Sequence, residues 1–296
     1  MKLLRYGPTG LEKSGLLDEH GQIRDLSTVL GELRNEHLAP AELEKIRSIV
    51  VGNLPVVSGS PRIGTPYAGI GKFIAIGLNY KDHAAEANLP LPTEPIIFSK
   101  ATSCIVGPNE DVMLPNGSLK TDWEVELGVV IGSTARYVSE DRALNHVAGY
   151  CVVNDVSERE YQLERGGTWD KGKGCDTFGP IGPYLVTADE VGDPQALDMF
   201  LDVNGKRMQT GNTRTMIFPT RTLVSYVSRF MTLMPGDIIT TGTPPGVGMG
   251  RKPAPTYLKV GDVMELGISK LGKQRQTVIA YSPDLQDHVS PAHGNA

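Results

Sequence analysis

The stretch TDWEVELGVVIG, residues 121–132, places two carboxylates inside a run of Val, Leu and Ile that is apolar enough to be core. Side chains alternate across the faces of a β-strand, so Glu124 and Glu126 point in the same direction. Two carboxylates about 5–7 Å apart repel each other, and one becomes protonated unless a cation neutralises the pair. Since hard dications prefer carboxylate oxygen, a divalent-metal site at one end of a buried strand is one interpretation of this pattern.

A solvated strand face is the alternative interpretation of the same pattern. Asp122 shares the parity of the two glutamates, and exposed faces are often acidic, whereas Gly128 and Val130 continue that parity and do not fit a solvated face. Asp155 ends the apolar strand predicted around GYCVV and could supply a third carboxylate. An Asp at a strand end is also a common turn or helix cap, so both interpretations stay open at this point.

Two further segments carry residues suited to catalysis. In NYKDHAAE, His83 and Glu86 are three residues apart on a predicted short helix and share a face, so the carboxylate could orient the imidazole as a base. Lys173 lies between two glycines in WDKGKGCDTFGP, which could be a closing loop over an anion. A surface helix and an ordinary exposed loop are the alternatives for these two segments.

Composition excludes several classes of protein. The chain has 296 residues and a formal net charge of -5, from 34 acidic against 29 basic residues, which argues against a nucleic-acid surface. Cys104, Cys151 and Cys175 form no CxxC pair, which argues against a disulfide framework and a cysteine zinc site. No apolar run approaches the roughly 20 residues of a membrane helix, and the N-terminus lacks a signal-peptide core. We therefore predict a cytoplasmic protein with no membrane or nucleic-acid partner.

The order of apolar segments and turns predicts an α+β fold. Residues 1–68 are predicted to form a small N-terminal α/β module, with two short strands around DEHGQ and an amphipathic helix at PAELEKIRSIV. The main domain is placed at 69–282, and 283–296 at an extended tail. Within the main domain, Asn204 and Gly205 predict a hairpin, and PTRTLVSYVSRFMTL predicts a helix. Strands outnumber helices and are often joined by turns.

Six segments, taken in chain order, resemble the fumarylacetoacetate hydrolase family. They are GLNYKDHAAE, PIIFSK, WEVELGVVIG, GYCVVNDVSEREYQ, KGKGCDTFGPIGP and TGTPPGVG, and they span roughly residues 70–282. The resemblance is specific because separated motifs agree in order and in approximate spacing. It implies a mixed β-sheet roll with peripheral helices, combined with a small N-terminal domain.

The resemblance also implies roles for individual residues. Mg²⁺ or Mn²⁺, or else Ca²⁺, would be bound by Glu124, Glu126 and Asp155. His83 would be the catalytic base and Glu86 its acidic partner. Larger eukaryotic members have a further Asp ligand upstream of the His; this sequence has FIAIG there, so water would take its place. The remaining positions carried over are Lys173 for catalysis and Lys100, Arg159, Gln162 and Thr243 for substrate binding.

The stretch YQLERGGTWDKGKGCDTFGPIGPYLVT resembles bacterial members that act on 2,4-diketo-3-deoxy sugar acids, including relatives labelled ureidoglycolate lyase. We predict metal-dependent hydrolysis of a carbon–carbon bond in a 2,4-dioxo acid, which gives pyruvate and a second carboxylic acid. Water activated by His83 would attack the 4-carbonyl, and Lys173 or N–H groups near Thr243 would stabilise the oxyanion. The alternatives are a metal-dependent lyase or decarboxylase, an isomerase of the homoprotocatechuate type, or a metal-stabilised binding protein without turnover. The family resemblance also predicts a homodimer whose substrate is a small 2-oxo acid.

Overall fold

The computed structural model describes residues 1–86 and 88–284. Its strands are β1 Lys2–Tyr6, β2 Lys13–Leu17, β3 Ile23–Asp25, β4 Phe73–Gly77, β5 Ile96–Lys100, β6 Ile105–Val106, β7 Val112–Met113, β8 Thr121–Asp122, β9 Val125–Ile131, β10 Val147–Asn154, β11 Ser157–Glu158, β12 Gly179–Thr187, β13 Asp198–Val203, β14 Lys206–Asn212, β15 Ile238–Thr240, β16 Val263–Ile268 and β17 Gly272–Ile279. Its α-helices are α1 Ser27–Leu30, α2 Pro40–Arg47, α3 Lys81–Glu86, α4 Glu140–Ala143, α5 Arg159–Leu163, α6 Asp170–Lys173, α7 Ala188–Val191 and α8 Thr220–Val227. Short 3₁₀ turns cover Asn35–Leu38, Val51–Asn53, Thr102–Cys104, Leu144–His146, Thr213–Thr215 and Gly248–Gly250.

The larger sheet is mixed and carries the centre of the core. Its strand order is β3-β2-β1-β12-β10-β9-β15-β4-β5, and β6 pairs with β12 beside this path. β15 and β4 are parallel, whereas β9 is antiparallel to both β10 and β15. Every residue of β9 and β10 is buried, which explains their nearly continuous Val, Ile and Leu content. Because β1 pairs with β12, the first three strands extend this same sheet.

A second sheet packs beside it with the order β14-β13-β16-β17-β7. β13 alternates exposed or half-buried residues with buried ones, as expected for a sheet with one face on the core. α8 buries Leu223, Val224 and Val227, whose spacing puts them on one helix face. Among the described residues, no helix combines the length and apolar character needed to cross a bilayer.

The fold agrees with the predicted α+β class and mixed sheet. Four local elements form where the sequence predicts them. They are the hairpin β2–β3, the helix α2, the hairpin at Asn204 and Gly205, and the helix α8. β17 was missed, because its sequence GKQRQTVI is mostly polar. The predicted domain boundary at residue 68 stays a prediction. The predicted tail, 283–296, lies outside the described residues from position 285 onwards.

The topology brings several strand ends to one edge of the larger sheet. The start of β9 lies beside the end of β10, because these strands are antiparallel, with Val125 opposite Asn154. β15 pairs with β9 in the opposite direction and ends at Thr240 beside Gly128. β4 runs parallel to β15 and leads into α3. Four chain segments therefore meet at this edge: those that follow β4, β10 and β15, and the one that precedes β9.

Candidate active site

Three carboxylates that are remote in sequence meet at this edge. Glu124, Glu126 and Asp155 each offer an oxygen, and these oxygens all lie within 4.8 Å of one another. Glu126 belongs to β9, Glu124 directly precedes it, and Asp155 directly follows β10, with its N–H bonded to the Glu124 carbonyl at 2.9 Å. The exposed fractions are 6%, 2% and 0% for Glu124, Glu126 and Asp155, so the solvated-face interpretation is wrong.

Cations and backbone donors surround the three carboxylates. Lys173 Nζ bridges Glu124 Oε2 at 2.6 Å and Asp155 Oδ2 at 2.7 Å. Glu126 Oε2 accepts hydrogen bonds from Thr240 Oγ1 at 2.5 Å and from the Gly242 N–H at 2.9 Å. Gly242 has a φ of +85°, and a Cβ there would lie 2.9 Å from Asn79 Cβ, so this turn requires glycine.

Arg159 and Asp122 hold Glu124 from its other side. Arg159 donates to Asp122 Oδ2 at 2.9 Å, to Glu124 Oε1 at 2.7 Å and to Gln162 Oε1 at 2.9 Å. Asp122 is fully buried and also accepts from the N–H groups of Trp123, Gly248 and Met249. The pair thereby ties the start of the acidic segment to α5 and to the turn at 248–250. Because each of its three nitrogens donates to a partner, the guanidinium is fixed in position.

The electrostatics of the cluster leave one carboxylate uncompensated. Burial raises the pKa of Glu124, but the charges of Lys173 and Arg159 outweigh it and hold that pKa well below its usual range. Burial lowers the pKa of Lys173, and the carboxylates of Asp155 and Glu124 reverse this and raise it. Burial, together with the charges of Asp155 and Glu124, raises the pKa of Glu126 well above its ordinary value. Glu126 therefore needs either a proton or a further cation.

These residues fit a hard divalent cation. Asp155 Oδ1 is buried without a hydrogen-bond partner: Lys100 Nζ lies 2.6 Å from it but directs its hydrogen bonds to the carbonyls of Val156 and Lys173. An all-oxygen donor set is what Mg²⁺, Mn²⁺ and Ca²⁺ prefer, and a dication would stabilise Glu126 as a carboxylate. Asp155 Oδ1 therefore has a cation beside it but no hydrogen bond, and the raised pKa of Glu126 identifies the carboxylate that still lacks a compensating charge.

A histidine–carboxylate pair lies on the same cavity. His83 Nδ1 is 3.2 Å from Glu86 Oε2, and both Glu86 oxygens accept from the Gly246 N–H, at 3.0 and 3.1 Å. Burial raises the pKa of Glu86, but the hydrogen bonds from His83 and Gly246 outweigh it and lower that pKa, which keeps the group ionised. A carboxylate can only accept, so Nδ1 of neutral His83 carries the proton and Nε2 is left as the basic nitrogen.

The cavity that joins these groups has a volume of about 300 Å³. Its floor contains the three carboxylates with Arg159, Gln162, Lys173 and Thr243, and His83 contributes to its side. Phe98 and Trp169 also line the cavity, in an edge-to-face contact with ring centroids 5.2 Å apart, and the Phe98 ring centroid lies 5.2 Å from Lys173 Nζ. Charged groups at the base of a small cleft, with an apolar entrance, are typical of a small-molecule site.

Comparison with known proteins agrees with this geometry. The sequence profile of the family described as "Fumarylacetoacetate (FAA) hydrolase C-terminal" matches residues 72–279. The chain belongs to this family. A Burkholderia ambifaria protein whose name suggests a hydrolase, without stating a substrate, is 63% identical over 277 residues, which cover 94% of this chain and 98% of that protein.

Solved structures of family members share the whole fold. A fumarylacetoacetate hydrolase from Exiguobacterium antarcticum is 34% identical with a TM-score of 0.83, covering 95% of this chain and 100% of the other. A maleylpyruvate hydrolase from Sphingobium sp. SYK-6, solved with manganese(II) and pyruvate, is 28% identical with a TM-score of 0.80, again covering 95% and 100%. This second member holds a divalent ion and a 2-oxo acid.

In the present structure most of the predicted site residues line the cavity, and Lys100, Thr243, Glu86 and Lys173 each differ in some respect from the prediction. Lys100 was predicted to bind substrate but is not among the residues that line the cavity; its ammonium is buried behind Asp155. Thr243 lines the cavity, yet its hydroxyl donates to the Val125 carbonyl at 2.9 Å and accepts from Gln209 at 2.8 Å. Glu86 lies behind His83, consistent with a positioning role. Lys173, predicted in a loop, belongs to the helical turn α6.

Sequence reasoning missed Asp122, Phe98 and Trp169. In the sequence, Asp122 supports only the solvated-face interpretation, although the pattern DxExE puts it in register with the two glutamates. The charge balance is a better indication that Asp122 belongs to the site. Three acidic residues at the end of one strand need cations nearby, and Arg159 was already among the predicted site residues. The two aromatic residues come from β5 and from the segment before α6, and nothing in their local sequence indicates that they meet.

Proposed function

We propose that this protein is a divalent-metal-dependent hydrolase that cleaves the C3–C4 bond of 2,4-dioxo acids, giving pyruvate and a second carboxylic acid. The observation that carries the proposal is the presence of an acidic triad and an oriented histidine base on one cavity. The triad alone would suit ion binding, whereas a base with a free Nε2 beside it suits activation of water.

Glu124, Glu126 and Asp155 would hold the ion, and Mg²⁺ and Mn²⁺ both fit this donor set. When bound, the ion supplies a Lewis acid that polarises the carboxylate and 2-oxo group of the substrate. Manganese and pyruvate in the maleylpyruvate hydrolase support this arrangement for a family member. Lys173 and Arg159 fix the orientation of the carboxylates through their charge-assisted hydrogen bonds.

His83 would accept a proton from water at Nε2 while the water oxygen adds to C4. Glu86 holds the imidazole and stabilises the positive charge that it gains. The C3–C4 bond then breaks, its electron pair passes to C3, and His83 returns the proton to C3 to give pyruvate. The oxygen from water stays in the second carboxylate.

Lys173 can serve the developing oxyanion without leaving its carboxylates. An ammonium group has three N–H donors, and the bonds to Glu124 and Asp155 use two of them. The third donor is free for an oxygen in the cavity, which Lys173 lines. Such a buried donor is worth more than the same group in water.

Pyruvate release from acetylpyruvate, with Mn²⁺ or with a chelator, tests this proposal. We expect metal-dependent cleavage, with ¹⁸O from labelled water recovered in acetate and not in pyruvate. A lyase, decarboxylase or isomerase would transform its substrate without placing ¹⁸O in a second carboxylate. Absence of any pyruvate release with metal present would contradict the proposal.

A further inference from the structure

The outer part of the cavity is lined by apolar side chains. Leu89, Ile96, Phe98, Leu163, Trp169 and Met249 face it. Four of them are also well exposed: Leu89 at 52%, Leu163 at 48%, Ile96 at 37% and Met249 at 36%. These four come from separate segments, after α3, in β5, at the end of α5 and in the turn at 248–250.

The two cations of the cavity lie at its base, next to the carboxylates. Arg159 has Asp122, Glu124 and Gln162 as partners, and Lys173 bridges Glu124 and Asp155. No other Arg or Lys of the described chain lines the cavity. A second carboxylate or a row of hydroxyl groups at the far end of a substrate would therefore meet Leu, Ile, Met and aromatic side chains. Burial of such polar groups without partners is unfavourable.

We propose that the preferred substrates are 2,4-dioxo acids with an unbranched alkyl or an aryl group on C4, rather than polyhydroxy or dicarboxylic tails. This inference rests on the proposed function, since it assumes that the oxo-acid head lies at the triad. A tail that extends from there would lie against these apolar side chains and cover the half-exposed rim formed by Leu89, Ile96, Leu163 and Met249. At about 300 Å³, the cavity is at the small end of ligand pockets, so the tail is short.

The sugar-acid substrate expected from sequence resemblance does not suit this wall. Each hydroxyl of such a tail loses water on entry and needs a donor or acceptor in return. Apart from the indole N–H of Trp169, the polar side chains of the cavity are those of the floor and His83, which the head and the attacking water would occupy. Burial of the apolar side chains at the rim is favourable only against an apolar tail.

Binding of 2-oxo acids that lack the 4-oxo group tests the tail preference without turnover. Calorimetry with Mn²⁺ would compare pyruvate, 2-oxobutanoate, 2-oxopentanoate and 2-oxohexanoate with 2-oxoadipate and 2-oxo-3-deoxygluconate. We expect affinity to rise by up to about fourfold per added methylene, the value for one fully buried methylene. Both polar-tailed acids should bind more weakly than 2-oxohexanoate. A flat or falling series, or tighter binding of either polar tail, would overturn the inference.

Leu163→Lys tests whether this rim makes the choice. It places a cation beside the tail at a position exposed enough to accept it without loss of folding. We expect weaker binding of 2-oxohexanoate and about threefold tighter binding of 2-oxoadipate, the range of an exposed ion pair. Leu11→Lys, at a 75% exposed position in the N-terminal segment, is the matched control and should change neither affinity. Identical responses of the two variants would count against the rim.

The two proposals fail in different ways. If 2-oxohexanoate binds best but acetylpyruvate is not cleaved, the hydrolase proposal is wrong and the tail preference stands. If acetylpyruvate is cleaved but 2-oxoadipate binds best, the tail preference alone is wrong. If no 2-oxo acid binds in the presence of metal, both are wrong.

Discussion

At the scale of single residues, the site places opposite charges so closely that each side chain fixes the next. Four buried carboxylates, Asp122, Glu124, Glu126 and Asp155, contact or face three buried cations, Arg159, Lys173 and Lys100. Removing charges from water costs several kcal/mol per ion, and only close pairing offsets that cost. The arrangement contributes less to stability than to a fixed geometry with one negative charge in excess, which is what recruitment of a cation requires.

His83→Ala should lower kcat for a 2,4-dioxo acid by about 10²–10⁴-fold, because a positioned general base contributes that much. Metal binding should be unchanged, since His83 is not one of the three clustered carboxylate residues. Steady-state kinetics and metal titration by calorimetry measure the two effects separately. His146→Ala is the control, because this histidine contacts Ser133 away from the cavity and should leave kcat intact. Lost metal affinity in His83→Ala would argue against its role as a base.

Asp122→Asn should destabilise the fold by about 3 kcal/mol, because it leaves the buried Arg159 with one fewer charged partner and replaces an acceptor of backbone N–H groups by an amide. Urea denaturation measures this loss. The same substitution at exposed Asp198, which accepts from Asn212, should stay within about 0.5 kcal/mol of wild type. Equal effects at the two positions would show that the buried network has no special role.

At the scale of elements, sequence reasoning succeeded where local pattern determines structure. The Asn-Gly hairpin follows from turn chemistry, the amphipathic α8 from helical periodicity, and β4 and β10 from short continuous apolar runs. It failed at β17 and α6. The polar β17 forms because β16 and β7 supply its hydrogen-bond partners, and α6 forms where WDKGKG packs on α5. Such tertiary contacts leave no periodic trace in the sequence.

The packing of α6 on α5 gives a prediction for Gly172. A Cβ at this position would lie 2.4 Å from the Glu158 carbonyl oxygen and 2.6 Å from the Gln162 nitrogen, both of which are backbone atoms. Gly172→Ala should therefore push α6 away and displace neighbouring Lys173 from Glu124 and Asp155. We expect a loss of about 1–3 kcal/mol in stability and a drop in kcat.

Gly52→Ala is the control for this change, since nothing lies within 4 Å of a Cβ there. Thermal unfolding and steady-state kinetics measure both variants. Gly52→Ala should keep the stability and kcat of wild type, whereas Gly172→Ala should lose part of both. If Gly172→Ala retains wild-type kcat, the position of Lys173 does not depend on the contact between α5 and α6. The proposal that Lys173 stabilises the oxyanion would then lose this support.

At the scale of the whole molecule, the site exists only because the fold joins distant parts of the chain. The residues around the three carboxylates come from β4 through to the turn after β15, so no short segment could form the site alone. The sequence predicted the carboxylates and the histidine because each lies in a recognisable pattern. It could not predict the buried position of Lys100 or the aromatic wall, since these depend on which strands are neighbours.

The excess negative charge leads to a prediction about global stability. A cation that binds the folded state and not the unfolded chain stabilises the protein by about 2.7 kcal/mol at a concentration 100 times its Kd. For a chain of 296 residues, Mg²⁺ or Mn²⁺ should then raise Tm by about 4 °C relative to protein treated with chelator. Glu126→Gln removes one ligand and the carboxyl group whose pKa is raised by burial and by Asp155 and Glu124, so the metal-free variant should be at least as stable as metal-free wild type and respond far less to metal. Differential scanning calorimetry of both proteins, with and without ion, measures the four values. A metal-induced shift of equal size in both proteins would place the bound ion elsewhere, and the triad would lose its assigned role.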